Sequence, residues 1–422
     1  MSQHVIVIGG GIVGASTALW LLRSGVQVTV IDRAGWASGT SQGNAGVLAA
    51  VSMVPVTGPG LIKKAPVLLI DRDAPLFLRW RYALKLLPWL RKYLSHANDA
   101  DTQRIAAGLA PIVTDTVEQH RALSKGTPAE RWLQDGYYSF AYRTRSAYEA
   151  EAYTWALRAM YGMAPELREG PDVHAFDPSL SPDITFLASV PNHGYVRDPG
   201  RYVSALGREV ARLGGAVVTA DVIGFDLTDD RFTAVKTTQG SISADAAVLT
   251  TGVWSKSLMS QLGINVPLET ERGYHIVFKG AVGGPTHPVM VASGKFVATP
   301  MSEGVRCAGI LEFGGLDAGP SKAPFALLRR QTKAAFPNMT WDDEIEWHGH
   351  RPAPSDSLPL IGEVRNSRIF TGFGHHHIGL TAGPKTGRLL AQLITGQAPN
   401  MDLTPYAPGR FAEPITNQGV LS

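Results

Sequence analysis

Residues 4–33 read HVIVIGGGIVGASTALWLLRSGVQVTVIDR, and no other stretch narrows the choice of fold so far. Val5 to Ile8 is a short, unbroken apolar run, the pattern of a parallel strand buried on both faces. It runs into Gly9, Gly11 and Gly14, spaced G-x-G-x-x-G. Helical spacing follows, with Ala15, Ala18, Leu19 and Leu22 on one face. Ser24 and Gly25 stop that helix, Val26 to Ile31 makes a second strand, and Asp32 ends it. Gly9 permits the tight turn, Gly11 admits a pyrophosphate to the backbone, and Gly14 lets the helix pack close to the strand. The helix N-terminus offers free N–H groups and a favourable dipole to the phosphates. Asp32 stands near the spacing at which an acid binds a ribose hydroxyl. With strand, helix, second strand and acid in register, the segment predicts a dinucleotide site rather than a simple glycine-rich turn.

The next segment bears on whether that dinucleotide is nicotinamide or flavin. GTSQGNAGV, residues 39–47, is small, polar and glycine-rich, so it can line a phosphate or a ring. A plain nicotinamide domain would add another strand–helix unit here. The chain gives LAAVSMVPVTGPGLIKKAP, an irregular stretch, which favours a flavin fold that leaves early for a second domain. The first domain resumes at DPGRYVSALGREVARLGGAVVTADVIGFD. Asp198 is a good N-cap, Pro199 suits the first helical position, and Tyr202, Val203, Leu206, Val210 and Leu213 form one apolar face. A strand is expected from Ala216 to Val222, and another from Ala246 to Leu249, ending in Thr-Thr-Gly. Small residues at a strand's carboxyl end are where an α/β sheet admits a ligand.

Elsewhere the period changes. RGYHIVF, KFVATP and RCAGILEF alternate as strands of a mixed or antiparallel sheet do. The expected fold class is therefore α/β (α+β mixed). A Rossmann-like dinucleotide-binding domain (1–50, 195–265 and 355–415) interleaves with a substrate domain on a mixed, largely antiparallel sheet (51–194 and 266–354). A net charge of +3 over 422 residues gives no argument for nucleic acid. The single cysteine, Cys307, rules out internal disulfides, fits a reducing compartment and leaves little scope for a thiolate metal cage. No secretory signal or apolar run of spanning length is apparent, so a cytoplasmic location is expected.

VIVIGGGIVG, GTSQGNAGV, YVRDPGRYVSAL, AAVLTTGVWS, ERGYHIVF, HGHRPAPSDSLPLIGE and GFGHHHIGLTAGPKTGRLLAQLITG follow one another through nearly the whole chain. In that order they resemble the D-amino-acid oxidase superfamily of FAD enzymes, above all bacterial D-amino-acid dehydrogenases and, more distantly, glycine oxidase. The resemblance implies non-covalent FAD. Ile12 and Val13 would then face the pyrophosphate within the Gly9–Gly14 turn. Asp32 and Arg33 would flank the adenosine ribose, and Val222 would contact adenine. Thr40, Ser41, Asn44, Ala45, Gly46 and Val47 would line the flavin or its phosphates. Thr251, Gly252 and Trp254 would end the strand beneath the cofactor. Gly374, His375, His376, Ile378, Gly379, Leu380 and Thr381 would wrap the pyrimidine side of the flavin, with a helix N-terminus near Gly379 facing its N1–C2=O edge. Covalent attachment through Cys307 is not expected.

The implied reaction is oxidative deamination of D-amino acids: hydride passes from Cα to flavin N5, and the imine hydrolyses to a 2-oxo acid. Cyclic substrates such as D-proline or hydroxy-D-proline suit it. Alternatives are sarcosine- or glycine-like N-alkyl amino acids, 2-hydroxy acids, or a non-catalytic assembly subunit that keeps the fold. Arg351 sits where such enzymes clamp the substrate carboxylate, and a planar guanidinium matches a carboxylate through two parallel hydrogen bonds. Its other reading is a structural arginine beside a proline-rich turn. His377 stands where relatives carry a substrate-contacting arginine, and Phe296 where they carry a tyrosine. Tyr274 is a candidate pocket contact.

Adjacent residues cannot all turn to one ion, so the three histidines 375–377 do not predict a metal. PLFLRWRYALKLLPWLRKYL, residues 75–94, is apolar, aromatic and basic. It suits either peripheral contact with an anionic membrane or a helical excursion broken near Pro88. The electron acceptor is accordingly a quinone, another electron carrier or oxygen.

Overall fold

The structure is a computed structural model and describes residues 3–63 and 74–412. Residues 64–66 of the irregular stretch and 413–415 of the first-domain assignment lie outside the described residues. A six-stranded sheet runs in the order 360–363, 369–373, 246–249, 4–8, 27–32, 216–219. Its strands are parallel except the first, which pairs antiparallel with its neighbour. Its central strands have no exposed face. Val5, Val7, Val28, Val30 and Val248 pack under the helices Ile12–Arg23, Pro199–Arg212 and Gly379–Ile394. Ile6, Ile8, Ile31 and Ala247 pack the other way, against Phe232 and Val235 of a three-stranded antiparallel sheet. Cover on both sides explains the unbroken apolar runs.

Asp198 caps its helix as expected, its carboxylate accepting from Arg201 N at 2.9 Å. The strand expected from Ala216 to Val222 is two strands instead. Ala216–Thr219 ends the large parallel sheet, and Val222–Thr228 opens the three-stranded one. The chain turns between them at Asp221, which pairs with Arg33 at 3.4 Å.

The second sheet follows the order 343–354, 268–279, 304–313, 296–301, 289–291, 133–142, 186–196, 47–48. Strand 76–78 joins beside 304–313 and strand 166–169 beside 186–196. Pairing is antiparallel except for 289–291 with 133–142 and 76–78 with 304–313. Val47–Leu48 carries the chain directly from the dinucleotide turn onto this sheet. Helix Ala83–Ser95 persists through Pro88 rather than breaking there. Buried Trp89 and Tyr93 hold it down, and Trp89 Nε1 donates to Ala353 O at 2.9 Å.

Candidate active site

A cavity of about 720 Å³ lies between the two sheets. One wall is the opening turn. Gly9 has φ +112°, and a Cβ on Gly14 would lie 1.9 Å from Gly9 O, so both positions require glycine. Gly11, Ile12 and Val13 border the cavity, and Ser41 Oγ accepts from Ile12 N at 3.0 Å. A second helix N-terminus, at Gly379, borders the same space. The two helices approach closely because Gly383 and Gly387 have no side chains. A Cβ on them would meet Ile12 at 2.9 Å and Ser16 at 2.6 Å. The glycines of the last motif thus bring two sets of free helix N–H groups and two positive dipole ends to one cavity.

The other end is built on the second sheet. Arg351, on strand 343–354, is the cross-strand partner of Glu271. Its guanidinium lies over Gly273, where a Cβ would stand 2.6 Å from Cζ. Among the described residues it makes no hydrogen bond and no ion pair, although burial opposes its charge and only Glu271 favours it. Glu271 is buried and borders the cavity. Its Oε2 lies 2.7 Å from His376 Nε2, and His376 Nδ1 lies 2.7 Å from His377 Nδ1. Burial, His376 and Arg351 together hold the His377 pKa well below the ordinary value. The nearby lining is apolar: Val56, Leu61, Leu78, Leu86, Trp89 and Leu90.

The family described as "DAO: FAD dependent oxidoreductase" matches residues 4–393. The chain belongs to that family. A D-amino-acid oxidase of Bradyrhizobium diazoefficiens is 37% identical over 97% of this chain and 99% of its own length. A D-amino acid dehydrogenase of Granulibacter bethesdensis is 28% identical over 97% of this chain and 100% of its own. The glycine oxidase structure from Geobacillus kaustophilus superposes with a TM-score of 0.72 at 20% identity, covering 97% of this chain and 99% of that one; at that identity it speaks for the fold alone. This protein is an enzyme, an FAD-dependent oxidoreductase with the mixed α/β architecture of its family.

The residues expected at the cofactor fall into three groups in this oxidoreductase. Gly11, Ile12, Val13, Thr40, Ser41, Asn44, Ala45, Val47, Gly252, Gly374, His375, His376, Ile378, Gly379, Leu380 and Thr381 border the cavity. Gly9, Gly14, Gly46 and Thr251 stand behind that wall and shape it. Gly46, at φ +81°, donates its N–H to the Asn44 side-chain oxygen at 2.8 Å. Thr251 Oγ1 is bonded to Ser255 Oγ. Asp32, Arg33, Val222 and Trp254 do not border the cavity. Asp32 spends its carboxylate on the turn, accepting from Gly10 N at 2.7 Å and Ala34 N at 2.8 Å. Arg33 lies over the Trp254 ring, 4.9 Å from its centroid, on an outer ledge.

Three further side chains are buried in the core. Tyr274 borders the cavity, but its hydroxyl donates to Glu312 at 2.6 Å and accepts from Ser321 N at 3.1 Å, inside a network around buried Arg272. Phe296 is wholly buried, and its neighbours Lys295 and Val297 border the cavity instead. His375 is a core residue, bonded to Thr386 Oγ1 at 2.9 Å, with its pKa pushed down to about 4 by burial. Sequence reasoning passed over Glu271 and Arg306. Arg306 donates to the carbonyls of Gln42 and Asn44, and His275 Nδ1 lies 3.0 Å from Gly43 O, so the second sheet fixes the 40–47 loop. Nothing in the alternation of those strands marks either residue as facing the site. Among the described residues no group of His, Cys, Asp and Glu could hold a metal ion.

Proposed function

We propose that this enzyme oxidises D-amino acids with apolar side chains, cyclic ones such as D-proline and hydroxy-D-proline included. The observation that carries the reading is the guanidinium of Arg351, unpaired among the described residues and half-buried beside a cradle that fits FAD. The fit rests on Gly9 and Gly14 of the opening turn, where no Cβ can stand, and on two helix N-termini that open on one cavity. Gly11, Ile12, Val13 and Ser41 would hold the pyrophosphate, and Gly374 to Thr381 the flavin, without a covalent link. FAD, when bound, supplies a two-electron acceptor for the hydride of the substrate Cα–H bond.

This chain's own residues do the rest. Arg351 pairs with the substrate carboxylate, and its place over Gly273 orients Cα. The apolar lining accepts an uncharged side chain and excludes water, which strengthens that ion pair. The product imine hydrolyses to a 2-oxo acid and ammonia, or stays a cyclic imine when the substrate is a proline. The test is anaerobic bleaching of flavin colour by a panel of D-, L- and N-methyl amino acids and 2-hydroxy acids. Bleaching by N-methyl or hydroxy acids but by no D-amino acid would overturn the substrate reading. Arg351→Ala should raise KM for every carboxylate substrate with FAD content unchanged.

The acceptor side rests on the helix Ala83–Ser95. Trp80, Leu84 and Leu87 are 72%, 84% and 48% exposed, beside exposed Arg81, Lys85, Arg91 and Lys92. No acid interrupts residues 79–98. Among the described residues no helix is long and apolar enough to cross a membrane. We propose that this basic, apolar face rests on the anionic inner surface of the cytoplasmic membrane and meets a quinone there. Flotation with anionic but not neutral vesicles, lost in Trp80→Ser/Leu84→Ser, checks it. Stoichiometric peroxide production in air with no vesicle binding would make oxygen the acceptor.

A further inference from the structure

We propose that His120 is a positioning residue for the flavin: it replaces a hydrogen bond that Pro384 removes from the cavity-facing helix, and so aims the Leu380–Thr381 peptide at the cofactor. The inference rests on the reading that Gly374 to Thr381 hold the flavin. Helix Gly379–Ile394 contains Pro384, past its first turn. A proline carries no N–H, so the carbonyl four residues back, that of Leu380, loses its helical donor, and the proline ring crowds it as well. Leu380 is buried, and a buried carbonyl without a donor is costly. Left so, the helix would loosen at the end that borders the cavity.

The missing donor comes from a distant part of the chain. His120, on helix Thr116–Ser124, is wholly buried, and its Nε2 lies 2.9 Å from Leu380 O. A carbonyl oxygen only accepts, so Nε2 carries the hydrogen. Burial keeps the ring neutral, with its pKa pushed down to about 4, so Nδ1 is bare and accepts from the Tyr202 hydroxyl at 2.8 Å. Both ring nitrogens are matched, and the ring is locked between helices Pro199–Arg212 and Gly379–Ile394. The same short helix fastens the neighbouring residues. One turn earlier Thr116 Oγ1 donates to Thr381 O at 2.7 Å, and Asp115 accepts from Lys385 Nζ at 2.8 Å.

The effect on the flavin follows from the geometry of one peptide. The Leu380 carbonyl and the Thr381 N–H belong to one planar unit and point in opposite directions. Pinning the oxygen therefore fixes the direction of the N–H. Among the described residues that N–H has no partner, as befits the third residue of a helix, and Gly379, Leu380 and Thr381 all border the cavity. A flavin gains negative charge at its N1–C2=O edge when reduced. A helix N–H held toward that edge stabilises the reduced form more than the oxidised one. Without its donor, the Leu380 carbonyl would swing away from the Pro384 ring, and the Thr381 N–H would turn with it. His120 thus acts on the flavin through one peptide, although it does not itself border the cavity.

Two substitutions separate the two bonds of the ring. His120→Gln places its amide N–H near the position of Nε2, so it keeps the donor to Leu380 O and gives up the Tyr202 contact. His120→Asn reaches only the position of Nδ1, so it keeps Tyr202 and leaves Leu380 O without a donor. FAD-loaded His120→Asn should prefer reduced over oxidised FAD about tenfold less than wild type, a fall of about 30 mV in the two-electron midpoint potential. Its sulfite Kd should rise by a similar factor, since bound sulfite puts the same negative charge on the ring. His120→Gln should match wild type in both. Adding Pro384→Ala to His120→Asn returns an N–H to the helix and should restore both values. A His120 that merely holds the fold would lower Tm in His120→Asn with potential and sulfite affinity unmoved, and that result overturns the inference. So does a lowered potential that Pro384→Ala does not restore. Should His120→Asn retain no FAD, the double variant carries the test: loading at the wild-type potential supports the inference, and no loading or a lowered potential overturns it. The reading beneath is checked in wild-type enzyme labelled with 15N-threonine, where reduction should shift the Thr381 backbone amide resonance, assigned through Thr381→Ser. An unmoved resonance takes the flavin edge away from this helix, and the inference falls with that reading; a shifted one with His120→Asn at the wild-type potential sinks the inference alone.

Discussion

Gly273→Ala isolates the arginine on which the proposed chemistry depends. The new methyl carbon would stand 2.6 Å from Arg351 Cζ and Nη2 and 3.0 Å from Nη1. Carbon contacts settle at about 3.5–4.0 Å, so the guanidinium must retreat by about 1 Å. The movement is cheap in stability. The clash is with the tip of a flexible side chain, and Gly273 is not among the residues at positive φ, so alanine meets no backbone strain. Stability should change by no more than about 1 kcal/mol.

Function should change much more. A displaced guanidinium keeps at most one of two parallel bonds to the substrate carboxylate. A charge-assisted hydrogen bond is worth about 1.5–3 kcal/mol, which is roughly a ten- to 150-fold loss in kcat/KM. The assay is anaerobic bleaching at graded D-amino acid concentrations, with the Kd of an amine-free carboxylate as the second reading. FAD content and Tm serve as controls. Both kinetic and binding losses should appear together, and Arg351→Lys should reproduce them, because an ammonium cannot make the planar pair. Unchanged kcat/KM and carboxylate affinity in a folded, FAD-loaded Gly273→Ala would remove Arg351 from the site.

Three further outcomes follow from the buried groups. Tyr274→Phe strips Ser321 N of its acceptor and Glu312 of a donor, so thermal unfolding should show a loss of about 1–3 kcal/mol while KM stays put. His120, His193 and His375 are buried with folded pKa values of about 4, below the ordinary 6.5. The unfolded chain thus binds more protons below pH 6.5. The stability from these neutral rings is complete above that pH and is lost as pH falls toward 4, by about 1.4 kcal/mol per group per pH unit; Tm measured from pH 7 to 5 should decline steadily, and a flat profile would contradict it. Cys307 is buried, with its thiol pushed up to about 12, so the native protein should resist thiol reagents at pH 8, and acid precipitation should release all its flavin.

The fold of residues 4–33 was legible because each requirement there is local. A strand buried on both faces, a turn where Cβ atoms collide and a helix that must start at Gly11 leave marks within a few residues of one another. The alternating strands were legible as a class for the same reason. What escaped is what register decides. Arg351 and Glu271 are 80 residues apart and become neighbours only because strands 343–354 and 268–279 pair as they do. Sequence shows the period of a strand but not which residue stands opposite which. Tyr274, a candidate pocket contact, borders the cavity, yet its hydroxyl is drawn to Glu312, a partner that pairing also supplies. The break at Asp221 was hidden because both halves of the run are equally apolar.

The run of histidines shows how far local reading reaches. Adjacency alone argues against a metal, since three neighbouring rings do not converge on one ion. It could not assign different work to each ring. Backbone conformation and distant partners do that: His375 turns into the core toward Thr386, His376 is flipped to positive φ and pointed at Glu271, and His377 is left facing the cavity. One chemical type repeated three times becomes a packing group, a contact of Glu271 and a ring lining the cavity. The difference comes from Glu271 and Pro352, on strands that the histidines meet only in the folded chain.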